Sequence, residues 1–189
     1  GVDIRRPFSA EDGRPRWARA TDGLTPAEVA EINGNVAIVG YLVSEGAAPP
    51  ALEGADALVA AALVADREAV AHLRGFADHA RARRPGLVVW AAARRRVDAI
   101  PILVDLGFDV NALGRADVPV DDPWETALHT AASDGDIALV RLLLELGADP
   151  DIHDARFDAT PLGWARHFEQ DETVAVLEPV TRADPGEAR

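Results

Sequence analysis

The chain has 189 residues, 48% of them apolar and 27% charged, with a formal net charge of −13. That apolar share excludes a disordered chain, and no run approaches the ~18 uninterrupted apolar residues of a membrane helix. The acidic field repels a phosphate backbone, so neither nucleic acid nor a membrane is an expected partner. There is no cysteine, hence no disulfide framework, zinc–thiolate site or thiol nucleophile, and all 19 basic residues are arginine. A cytoplasmic protein without a cofactor is the expectation.

In chain order, residues 1–20 come first. Gly1-Val2-Asp3-Ile4 is worded like Gly107-Phe108-Asp109-Val110, so this stretch reads as the tail of a preceding repeat. It has no basic flank followed by an apolar core, and no initiator methionine. The chain thus reads as a trimmed or processed piece, a monomer or part of a larger chain, with more protein upstream or a partner covering that end.

A helix pair is expected next at 21–50, from Thr25-Pro26-Ala27-Glu28-Val29-Ala30 through Val39 and Leu42 to Gly46-Ala47. A second copy, 54–84, has Leu58 to Ala62, then Val70 and Leu73, without the threonine–proline start. Its outer helix is expected to run unbroken from Arg67 to about Arg81. The third, 85–123, carries Val88-Val89-Trp90-Ala91-Ala92, Ile100, Leu103 and the ending Gly107 to Asn111. The fourth, 124–158, is the plainest. Thr126-Ala127-Leu128-His129-Thr130-Ala131-Ala132 gives a short helix, and Asp134-Gly135-Asp136 a turn. Ile137, Val140, Leu143 and Leu144 then form one stripe at 3.6-residue spacing, closed by Gly147-Ala148-Asp149-Pro150. The fifth, 159–180, repeats Thr160-Pro161-Leu162-Gly163-Trp164-Ala165 with Val174 and Leu177, and residues 182–189 read as a disordered tail. The equivalent positions Ala27, Leu58, Val88, Leu128 and Leu162 are spaced by 31, 30, 40 and 34 residues, one helix-pair period with scatter.

These motifs resemble the ankyrin repeat, whose pattern is Thr-Pro-Leu-His-x-Ala at the first helix and Gly-Ala-Asp after the second. The resemblance covers about residues 21–178. It implies an all-α ankyrin-repeat solenoid of about five helix–turn–helix units with hairpin finger loops, a single domain over 1–181 with a concave inner-helix face. It also implies a non-catalytic module that binds a protein or peptide through that face and the fingers. For His129 it implies a structural hydrogen-bonding role at the start of the inner helix.

In such a fold the residues after the paired alanines line the inner face. Here they are Ile32-Asn33, Leu63-Val64, Ala93-Arg94, Ser133-Asp134 and His167-Phe168, an apolar half followed by a polar and ionic half. Asn33, Val64, Arg94, Asp134 and Phe168 are the groove candidates, with apolar anchoring in the first half and charge matching in the second. The long step before the fourth copy makes a proline-stiffened finger, Asn111 to Trp124, where Arg115, Asp122 and Trp124 are contact candidates. The alternative is a surface insertion that packs Trp124 onto the adjacent finger. Arg81, Arg83, Arg84 and Arg94, Arg95, Arg96 could clasp an anion, or simply pair with neighbouring acids. Trp90 and Trp164 are expected in the core, with Trp17 and Trp124 in loops. His129, His153 and His167 are not expected to converge on a metal, and Asp149 to Asp154 lacks the glycine and glutamate of a calcium loop. A small-ligand or hydrolytic site in the same groove, built on Ser133, His167 and Asp134, is the second reading.

Overall fold

The computed structural model describes residues 5–9, 23–116 and 122–182. Among them are eleven α-helices, and the only bridge outside helices is the antiparallel pair Gly114–Glu125. Residues 1–4, 10–22 with Trp17, the centre of the long finger at 117–121 and residues 183–189 lie outside the described residues. The chain divides into two compact units, Gly1–Arg83 and Arg84–Arg189.

In the first unit, α1 (Pro26–Ile32) pairs with α2 (Val36–Ser44), and α3 (Gly54–Leu63) with α4 (Arg67–Leu73). Thr25 starts α1 with a capping box: its hydroxyl accepts from Glu28 N at 3.2 Å, and the Glu28 carboxylate accepts from Thr25 N at 2.7 Å. Pro26 fits the first helical position, where no N–H is needed. Helix α3 has no side-chain cap and buries Leu58 through Leu63. The outer helix expected to run unbroken from Arg67 is interrupted. A 3-10 turn, Arg74–Phe76, separates α4 from α5 (Ala77–Arg83). Gly75 sits in that turn, and the break lets Ala77 and Ala80 bury while α5 packs on α3. By contrast α2 buries none of its residues, and Val36, Ile38 and Tyr41 are exposed.

The second unit repeats one pair three times: α6 (Leu87–Ala93) with α7 (Ala99–Asp105), α8 (Ala127–Ser133) with α9 (Ile137–Glu145), and α10 (Pro161–His167) with α11 (Asp171–Leu177). The inner helices stack in order, α6 on α8 and α8 on α10, and α9 meets α11. Leu87, Ile100, Leu103, Leu128, Leu143 and Leu177 are fully buried between them, so each pair shelters its neighbour's apolar stripe. Close approach is specific where α6 begins. A Cβ on Gly86 would lie 2.5 Å from Gly114 Cα, and one on Gly114 would lie 2.8 Å from Gly86 O. Two glycines let the strand-like entry to the finger pass over the start of α6.

The fingers are tied by side chains. Asp109 Oδ1 accepts from Asn111 N at 2.8 Å, and Asp149 Oδ1 from Asp151 N at 2.9 Å, the same turn one repeat later. Asn111 joins the two turns: its amide donates to Gly147 O at 3.2 Å, and its carbonyl accepts from Asp149 N at 2.8 Å.

Candidate functional site

The five groove candidates share one structural position. Asn33, Val64, Arg94, Asp134 and Phe168 are the C-cap residues of α1, α3, α6, α8 and α10. Each is followed by a residue with positive φ: Gly34, Ala65, Arg95, Gly135 and Glu169. This left-handed turn ends each inner helix. One part of the expectation needs correcting. Ile32 and Leu63, the residues just before the first two caps, are fully buried, so the apolar first half of the groove is core. In the first unit Val64 is exposed and borders a hollow of about 380 Å³ with Leu52 and Leu73. Asn33 is half-buried, and its amide donates to Val29 O at 2.8 Å.

The second unit holds the larger cavity, a half-open cleft of about 770 Å³. Its walls are the C-terminal ends of α6, α8 and α10, bringing Arg94, Ser133, Asp134, His167 and Phe168 to one place. Its other side comes from the fingers: Ala116, Trp124 and Phe157. The rings form a continuous group. Trp124 and Trp164 have centroids 5.3 Å apart at 40°, Trp124 and Phe157 5.8 Å apart at 82°, and Trp164 and Phe168 6.1 Å apart at 56°. Phe157 is 70% exposed and Phe168 50%, so this cluster is not closed core packing.

Charges are distributed unevenly around it. The buried Glu125 carboxylate accepts from Ala116 N at 2.9 Å and from the Thr130 hydroxyl at 3.3 Å, fixing the finger's return to α8. Arg94 is engaged within the protein: it donates to Ala116 O at 2.9 Å and its guanidinium lies 4.0 Å over the Trp90 ring. Asp134 is exposed, and its carboxylate has no hydrogen bond or ion pair among the described residues.

The finger candidates also find partners. Asp122 lies 4.0 Å from Arg115 and 3.5 Å from Arg156, and the Arg156 guanidinium sits 4.5 Å over Trp124. Trp124 packs against the next finger, where its carbonyl accepts from Ala155 N at 2.8 Å. The packing alternative therefore describes Trp124, although the residue also borders the cleft. Of the arginine triplets, Arg81 pairs with Asp78 and Arg83 with Asp56 in the first unit, while in the second Arg84 is buried and Arg94 is engaged as above.

His129 is fully buried and bridges repeats. Its Nδ1 accepts from Thr126 N at 3.2 Å, so Nε2 carries the proton and donates to Ala159 O at 2.9 Å. Burial holds its pKa below the ordinary 6.5, although the Ala159 carbonyl and nearby Asp154 favour the charged form. The histidines are well separated in role: His153 is exposed and meets Asp158 at 3.1 Å, and His167 meets Phe168 edge-on with ring centroids 4.9 Å apart. Ser133 and His167 both border the cleft, but the Ser133 hydroxyl donates to Thr130 O at 3.0 Å, the usual bond of a helix serine, and not to His167.

Three residues that the sequence reading did not assign to the groove, Asp154, Phe157 and Trp164, shape the site. Asp154 is buried and forms no ion pair among the described residues. Burial pushes its carboxyl pKa up, but donors at Phe157 N, Trp164 Nε1, Arg156 N and Ala159 N outweigh this and hold it below 3.8. That knot bends residues 154–159 and presents Phe157. Trp164 is buried as expected, yet it forms the cleft floor. The signal for Asp154 was present in principle, as an aspartate followed by a finger containing an exposed phenylalanine. Nothing local marks its bond to a tryptophan ten residues on.

Short helix pairs, stacked inner helix on inner helix in the second unit and joined by fingers, define a helical-repeat protein. Its residues 88–185 match the family model for ankyrin repeats in three copies, and the chain belongs to the ankyrin-repeat family. Such repeats are generally protein-interaction modules and typically lack enzymatic activity. Among curated proteins the chain is similar to Protein PhlB of Serratia liquefaciens, 37% identical over 83 residues. That match covers 44% of this chain and 34% of PhlB, so the chain spans about a third of that relative's length. No helix among the described residues is long and apolar enough to cross a membrane.

Proposed function

We propose that this chain is a non-catalytic module that binds a protein or peptide through the ends of its inner helices and its fingers. The observation that carries the reading is the aromatic cleft of the second unit, where three successive inner-helix ends and two fingers converge. Side chains from positions as far apart as Ala93 and Phe168 meet around one opening, which a purely structural spacer does not require. Arg94, Asp134 and Phe168 supply contacts from the helix ends, with Arg115, Asp122 and Trp124 from the finger. Asn33 and Val64 are the corresponding contacts of the first unit. A hydrolytic reading of the same cleft lacks support, because the Ser133 proton is committed to Thr130 O.

The test is capture of partners from the native lysate by the wild type and by an Arg94→Glu, Phe168→Ala double variant, with identification by mass spectrometry. Proteins retained by the wild type should be lost or reduced at least tenfold with the variant. Equal capture by both would reject the cleft as the contact surface.

A further inference from the structure

We infer that the cleft of the second unit receives an arginine side chain of the partner peptide, its guanidinium held against the indole and phenyl faces with Asp134 as counter-charge. This rests on the binding-module reading above and specifies what that module recognises.

Three observations support it. First, the lining offers π faces with few free polar groups: Trp124, Phe157, Trp164 and Phe168 form one continuous set of tilted and edge-on rings. Phe157 and Phe168 are the exposed rings of this set, and an aromatic face attracts a planar cation through the negative side of its quadrupole. Second, the charged groups at the cleft are not equivalent. Glu125 is buried in hydrogen bonds to the finger and α8, and Arg94 is tied to Ala116 O and the Trp90 face. Asp134 is left as the exposed carboxylate with no partner among the described residues. Third, the protein shows the same chemistry internally. Arg156 lies over the Trp124 ring while meeting Asp122, and Arg94 lies over Trp90. An arginine clamped between an indole and an aspartate is thus a pairing that these fingers already form.

Charge complementarity selects the occupant. The whole chain carries −13, and from Arg84 onward acidic side chains outnumber arginines two to one. An acidic segment would be repelled, and a purely apolar one would leave Asp134 facing nothing. At about 770 Å³ the cleft exceeds one guanidinium, so apolar residues flanking the arginine fill the remaining space against Phe157 and Phe168.

The experiment is a fluorescence-polarisation series with one labelled peptide, Gly-Ala-Leu-Xaa-Leu-Xaa-Ala-Gly, in which both Xaa positions are arginine, lysine, citrulline, leucine or glutamate. Citrulline keeps the shape of arginine and removes its charge. Wild type should bind the arginine peptide most tightly, lysine more weakly, and citrulline or glutamate roughly tenfold or more weakly, as expected for a partly desolvated cation on aromatic faces. Asp134→Asn, an exposed isosteric change, should weaken arginine binding about fivefold and leave citrulline binding unchanged, while Phe168→Ala weakens both. Far-UV circular dichroism confirms that both variants are folded.

Citrulline bound as well as arginine, glutamate preferred, or Asp134→Asn without effect would each overturn the proposal. Failure of every peptide to bind would overturn it too. The broader module reading would still stand if lysate capture remained sensitive to the Arg94→Glu, Phe168→Ala change.

Discussion

His129 is a residue whose protonation is written into folding. It is neutral and buried, donating to Ala159 O and accepting from Thr126 N, and its folded pKa lies below the ordinary 6.5. Between the depressed folded value and 6.5 the unfolded chain binds the extra proton and the folded chain does not. Stability is therefore full above that window and falls as pH drops through it. Chemical denaturation between pH 8 and pH 5 should show a falling midpoint, and His129→Gln should flatten the slope while lowering stability at pH 8 by about 1–3 kcal/mol. An unchanged slope in the variant would assign the pH dependence elsewhere. The resemblance implied a structural hydrogen-bonding role for this residue, and that much was legible. The acceptor on the following repeat was not, because it lies 30 residues away.

At the scale of elements, the turn after each inner helix imposes one backbone demand on five different residues. Gly34 and Gly135 meet a positive φ without cost, whereas Ala65, Arg95 and Glu169 adopt it at φ of 56°, 52° and 57°. Ala65→Gly is expected to raise stability by about 0.5–1 kcal/mol, since the turn strain relieved outweighs the entropy added to the unfolded chain. Gly86→Ala should do the opposite. Its Cβ would sit 2.5 Å from Gly114 Cα, a backbone atom that cannot swing aside, and overpacking of this kind costs about 1–3 kcal/mol. Thermal melts of the two variants against wild type decide both signs. The helix pairs themselves were readable from threonine caps, paired alanines and apolar stripes. The broken outer helix after Leu73 was not, because a single glycine, Gly75, does not by itself dictate a 3-10 turn whose benefit is the burial of Ala77 and Ala80 as α5 packs on α3.

For the whole molecule, charge sets the company it keeps. With a net charge of −13, the chain should show no retention on immobilised duplex DNA at moderate salt, and a basic partner's association should weaken as salt rises. A shift of labelled DNA by the purified chain at 150 mM salt, which gives a screening length of ~8 Å, would overturn this. Within the chain, sequence alone determined the ankyrin repeat, because period, caps and apolar spacing act within one helix pair and its immediate neighbour. It also pointed to the residues after the paired alanines. Which of them face solvent was decided by packing, since Asp134 and Phe168 stay exposed while Ile32 and Leu63 sink into the core although the same left-handed turn follows each helix. The aromatic cleft belongs to tertiary structure entirely. Its rings come from separate repeats and from a finger bent by Asp154, and contacts across such separations leave no periodic trace in a sequence.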